Sequence, residues 1–137
     1  MRLRLIFLIM FGITAGCVQS TSDEQIRLIE EEARHNRVLD HAESQFEKGE
    51  FASSSETLKE ALASSEAMTK PYRARFFLLQ ARLATAFNKP AEIRLWLGKL
   101  FAVDQDAQLD PLRDPPLTLA IWQDLRVDDN KPKPGGG

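Results

Sequence analysis

The residue types able to carry covalent or metal chemistry are few and scattered. Cys17 is the only cysteine, so no internal disulfide can form. His35 and His41 lie six apart, which puts them on different faces of a helix. Metal ligation needs three or four convergent groups, and no His/Cys/Asp cluster offers that spacing. Ser53, Ser54 and Ser55 open a helical segment, where hydroxyls cap backbone N–H groups. Asp128 and Asp129 are adjacent in a polar stretch, and the glycine run 135–137 opens no helix that could cradle a phosphate. These patterns predict a protein that is not an enzyme and holds neither metal nor cofactor.

The setting of Cys17 is more telling. Met1-Arg2-Leu3-Arg4 is basic, Leu5 to Ile13 is apolar apart from Gly12, and Thr14-Ala15-Gly16 is small. Basic, apolar, small is the order of a secretory signal peptide. An apolar run of nine residues falls well short of the ~20 that span a bilayer as a helix. Thr14-Ala15-Gly16-Cys17 then resembles the lipobox of bacterial lipoproteins, with Thr14 where Leu is more usual. That resemblance implies a signal peptide over 1–16, a diacylglycerol on the Cys17 sulfur, and a lipidated tether over 17–21. Two or more acyl chains hold a protein stably, whereas one holds it marginally. Val18 stands where an Asp favours the inner membrane in Gram-negative lipoproteins. The resemblance therefore implies a lipid-anchored protein of the cell envelope, at the periplasmic face of the outer membrane.

Loss of residues 1–16, with Arg2 and Arg4, would leave 121 of 137 residues and a net charge of −4 in place of −2. That is one small domain without the clustered basic surface nucleic acid requires. Ala, Leu, Glu and Arg dominate the centre of the chain, and all are strong helix formers. No run alternates apolar and polar with β-branched residues, so the fold class is all-α.

Five helices are expected within 22–127. Ser22-x-x-Gln25 has the form of a capping box opening the first. Ile26, Ile29, Ala33, Val38, Ala42 and Phe46 form its apolar stripe, and Gly49 ends it. Phe51 opens a second helix, striped by Leu58, Ala61 and Leu62. Pro71 begins a third, the most apolar, which carries Phe76, Phe77, Leu79, Leu83, Ala84 and Phe87 and belongs at the centre. Pro90 begins a fourth, with Ile93, Trp96, Leu97, Leu100 and Phe101 inward. A loop over 104–114 is expected to be pinned by Leu109 and Leu112. Pro115-Pro116 begins a fifth helix, with Leu117, Ile121, Trp122 and Leu125 inward. Residues 128–137 are polar and Pro-rich, and are expected to be disordered.

A displacement of 39 residues relates Ala42, Gly49, Phe51, Leu58 and Ala61-Leu62 to Ala81, Asn88, Pro90, Leu97 and Leu100-Phe101. Each set reads as helix, tight turn, helix. Over roughly 35–107 this resembles the tetratricopeptide (TPR) family, whose period is ~34 residues. In that family the first helices of successive units line a groove. The resemblance assigns Asn36, Leu39 and Glu43, with Arg75, Leu78 and Arg82, to such a groove. Arg75 and Arg82, seven apart on one helical face, would suit a peptide with an acidic or C-terminal carboxylate group.

These expectations describe a membrane-anchored adaptor or assembly factor, similar to pilotins. Its partners would be proteins of an envelope machine such as a secretion system or pilus. Two alternatives stay open. One is a structural lipoprotein linking membrane to peptidoglycan through Lys131-Pro132-Lys133-Pro134. The other is a regulator of a cell-wall enzyme.

Overall fold

The computed structural model describes residues 16–63 and 68–129. Five helices form among them: α1 (Gly16–Glu47), α2 (Phe51–Leu62), α3 (Lys70–Ala86), α4 (Pro90–Val103) and α5 (Pro116–Asp129), with no strand. The chain divides into two units, Met1–Glu31 and Glu32–Gly137. What is described of the first is helical backbone from Gly16, with an exposed Arg27–Glu24 ion pair. The core belongs to the second.

Two turns shape that second unit. Gly49 has φ +79°, the left-handed conformation that glycine adopts without steric cost. Its N–H donates to Phe46 O at 2.9 Å, and the N–H of Glu50 donates to Gln45 O at 2.9 Å. Asn88, 39 residues on, has φ +54°. Its N–H donates to Thr85 O at 3.0 Å, and that of Lys89 to Ala84 O at 2.8 Å. Both are Schellman motifs, which satisfy the orphan carbonyls of a helix end and reverse the chain at once. Asparagine is the commonest substitute for glycine at such a position.

The same register runs through the helices. Ala42 and Ala81 are fully buried, as are Leu58 and Leu97. Ser54 and Ile93 occupy matching positions on the second helix of each hairpin, and both are buried. Ser54 is accommodated because its hydroxyl donates to Ala42 O at 2.8 Å, so the buried oxygen is not left unpaired. Phe51 lies against Phe46 across its own turn (ring centroids 5.1 Å) and against Phe87 at the other turn (6.4 Å). The hairpins thus stack turn beside turn.

α3 is the central element, packing on α2, α4 and α5. Phe76 is fully buried, and Tyr72, Phe77, Leu79, Leu83 and Ala84 nearly so. Phe77 stacks on Trp96 of α4 at 6.1 Å, and Phe101 of α4 meets Trp122 of α5 edge-on at 5.8 Å. The all-α array of five helices is as expected.

Several local expectations differ. α1 begins at Gly16, so the Ser22–Gln25 capping box lies inside a helix and residues 17–21 have helical backbone. Ile26 and Ile29 are 55% and 67% exposed. Both belong to the first unit of the chain, whereas the core belongs to the second. Leu62, Phe87 and Leu117 are also exposed, and Thr118 takes the buried place on α5 instead. Leu112 does not pin its loop: it is 96% exposed, because Asp110 Oδ1 accepts its N–H at 2.9 Å and sets it at the crest of a turn. Helix α5 extends to Asp129, and the rest of the 128–137 tail lies outside the described residues, as does most of the 1–16 segment.

The turn geometry makes a direct prediction. A Cβ at position 49 meets nothing within 4 Å, so a substitution there acts through backbone strain alone. Gly49→Ala should lower unfolding stability in urea by roughly 1 kcal/mol, whereas Asn88→Gly should leave it within about 0.5 kcal/mol of wild type. Equal losses in the two variants would contradict the left-handed assignment.

Candidate functional site

The six residues expected to line a groove do not form one open face. Leu39 is fully buried in the core and unavailable to a partner. Its spacings of three residues to Ala42 and seven to Phe46 are those of the packed stripe of α1, not of a solvent-facing row. Asn36, Glu43 and Leu78 are half-buried, and Leu78 packs against the core.

Both arginines already hold carboxylates of this chain. Arg82 Nε donates to Asp114 Oδ1 at 2.7 Å and Arg82 Nη2 to Oδ2 at 3.1 Å, a bidentate pair. The Asp114 side chain has no exposed surface, and that of Arg82 is 15% exposed. Asp114 Oδ2 also accepts the N–H of Asp110 at 2.8 Å, and Asp114 N–H donates to Asp110 O at 2.7 Å. Asp114, not Leu112, is therefore what ties the 104–115 connection to α3.

Beside this pair, Thr85 has one hydroxyl proton and donates it to Ala81 O at 2.9 Å. In its 2.9 Å contact with Thr118 it must then be the acceptor, with Thr118 the donor. The buried Thr118 hydroxyl is satisfied, and α5 is fixed to α3.

Arg75 reaches back to α1. Its Nη2 donates to Asp40 Oδ1 at 2.7 Å and to Glu43 Oε2 at 2.9 Å. The hydrogen bond it donates to Glu43 raises the affinity of this guanidinium for its proton, burial opposes that, and the bond to Asp40 adds to it. Arg113 completes the set by donating to Glu47 Oε1 at 2.7 Å, linking the long connection to the end of α1. Arg75 and Arg82, expected to receive a partner's carboxylate, hold carboxylates of this chain instead.

Tyr72, one turn before Arg75, is 2% exposed, and its ring lies 5.6 Å from that of His35. Burial pushes its phenol above the ordinary tyrosine range, and the nearby Arg75 charge partly offsets this.

Other surfaces are not neutralised in this way. Among the described residues, Arg34 and Arg37 of α1 and Glu60 of α2 are exposed and make no ion pair. They edge depressions between the two helices floored by Val38 and Ala61. Only the position of α2 shows that Glu60 stands opposite. Among the described residues, no three His, Cys, Asp or Glu side chains gather so as to hold a metal ion, and no helix is long and apolar enough to cross a membrane.

No family model matches the sequence, no curated protein matches it, and no solved structure matches its fold.

The two arginine clamps differ in burial, and their removal should differ accordingly. Asp114→Ala leaves Arg82 unpaired in a mostly buried site and should cost about 3 kcal/mol in urea unfolding. The Arg75 side chain is 39% exposed, and Arg75→Ala should cost under about 1 kcal/mol. An Asp114→Ala variant no weaker than Arg75→Ala would refute the buried-pair role.

Proposed function

We propose that this chain is a lipid-anchored adaptor of the bacterial cell envelope, attached through Cys17 and acting by binding other proteins rather than by catalysis. The observation that carries the reading is the order basic, apolar, small, cysteine over residues 1–17. A solitary thiol sent to an oxidising compartment is a liability unless it is modified, and acylation gives it a use. Val18 after the cysteine favours the outer membrane, by the resemblance to Gram-negative lipoproteins.

The binding role draws its support from surfaces of the helical body. Ile26, Leu28 and Ile29 are each more than half exposed on a helix that begins next to the proposed anchor. Unpaired charges and a shallow floor mark a second surface between α1 and α2. Helical-hairpin arrays generally serve recognition, an argument from architecture that names no particular partner. A pilotin-like part in assembling a secretion system or pilus is the form of adaptor this reading favours.

Metabolic labelling with a clickable palmitate tests the anchor. Wild type should take up label and sediment with outer membranes. Cys17→Ala should lose the label and either stay unprocessed or appear in the soluble fraction. Unlabelled wild type with residues 1–16 still attached, found free in the cytosol, would end the proposal.

A further inference from the structure

We infer that the furrow between α1 and α2 is the docking site of the adaptor, and that its occupant is a polypeptide segment bearing acidic side chains along one edge and basic ones along the other. The inference rests on the protein-binding reading above and gives it a place and a chemistry.

The furrow is built from the hairpin itself. Ser54 and Thr57 of α2 hydrogen-bond to Ala42 O and Gln45 Oε1 of α1, each at 2.8 Å, which closes the bottom of the interhelical space. Above them lies a depression of about 510 Å³ bounded by Arg34, Arg37, Val38 and His41 on one side and Glu56 and Glu60 on the other. A second, of about 240 Å³, continues it through Arg34, Val38, Glu60 and Ala61. Three residues line both, so they form one trough. Its span from Glu56 to Ala61 is one and a half helical turns, about 8 Å.

The walls carry opposite charge. Arg34 and Arg37 stand on α1 with no ion pair among the described residues. On α2, Lys59 neutralises Glu56, and Glu60 has no such partner. The floor is the half-buried Val38 and the methyl of Ala61, enough for small apolar side chains.

Charge complementarity selects the occupant. A polyanion would be drawn to the arginines and repelled by Glu60, and a polycation the reverse. Only a ligand with both signs on separate edges gains at each wall. A helical segment presents side chains at i and i+3 or i+4 on each edge, a rise that matches the Arg34–Arg37 spacing. Exposed pairs contribute modestly, about threefold in affinity apiece.

The test uses the full-length protein in detergent with three synthetic helical peptides. They share an alanine-valine stripe and differ only in edges: Glu on one and Lys on the other, Glu on both, or Lys on both. Amide chemical-shift titration should place the mixed peptide over residues 34–41 and 56–61. It should bind about threefold or more tighter than either single-sign peptide. Arg34→Glu/Arg37→Glu makes both walls acidic, and the ranking should then favour the all-Lys peptide. The amide shift dispersion in the same spectra shows whether the double variant is folded, and the inversion must appear at residues 34–41 and 56–61 of the folded protein. Equal binding of all three peptides, shifts confined to other residues, or an unchanged ranking in the double variant would each overturn the inference. So would tighter binding of anionic vesicles than of the mixed peptide, or self-association that the double variant abolishes. Palmitate labelling reads Cys17 alone, so failure of the anchor and failure of the furrow are told apart.

Discussion

Two residues held at positive φ, 39 apart, decide how the chain folds back on itself. A helix cannot continue through the left-handed region, and each Schellman turn sends the following helix back along the one before. Gly49 and Asn88 both sit in the left-handed region, and both turns close with the same pair of hydrogen bonds. The hairpins stack, and the Phe46–Phe51–Phe87 series is that stacking seen at the turns. α3 becomes the shared wall, which explains why its apolar residues cover more than one face. Ala42 and Ala81, 39 residues apart, are both fully buried.

With the hairpins stacked, the inner helices face loops and neighbours that carry acids. Arg75, Arg82 and Arg113 meet Asp40 and Glu43, Asp114, and Glu47 respectively. Each pair joins segments that are distant in sequence. The Arg82–Asp114 pair is the buried one, and its retention fixes where the 104–115 connection runs, since Asp114 also takes the N–H of Asp110. In the partner-binding reading this face is an internal brace. A ligand carboxylate would have to displace an intramolecular one already held at close range, with no gain in net pairing. Recognition then falls to charges that the fold leaves without a partner.

The sequence was informative where signals are local. Helix formers, the prolines at 71, 90 and 116 and the turn residues at 49 and 88 each act within a few residues, and the five helices were legible from them. The 39-residue repeat was legible too, because both turns impose the same small set of positions. Burial along α1 was not. Ile26 and Ile29 continue the apolar periodicity of Val38 and Ala42, and periodicity does not show that they fall in a different unit from the core. Asp114 was missed for a related reason. Asp114 closes a stretch read as loop, and its role as a buried ligand of Arg82 depends on a meeting across 32 residues that no spacing rule encodes. Leu112 went wrong because hydrophobicity outweighed Asp110, whose side chain decides the turn. Spacing placed Arg75 and Arg82 on one helical face but could not show that Asp40, Glu43 and Asp114 of the same chain reach them.

α1 is the element on which both parts of the functional proposal converge. It starts at Gly16, beside the cysteine proposed to carry lipid, and ends at Glu47 in the turn that organises the body. Over Glu32–Glu47 its residues divide by direction. Leu39 and Ala42 enter the core, Asp40, Glu43 and Glu47 hold arginines, and Arg34 and Arg37 border α2. A helix repeats its direction about every 3.6 residues, so these three sets can coexist without competing for the same surface. One sequence segment thereby supports packing, bracing and exposure together. A substitution on one strip should leave the others intact, which is why the charge of the furrow can be reversed at Arg34 and Arg37 without disturbing Leu39 or the Arg75 clamp. Separability of this kind is what an adaptor needs if its binding surface is to change while its fold is kept.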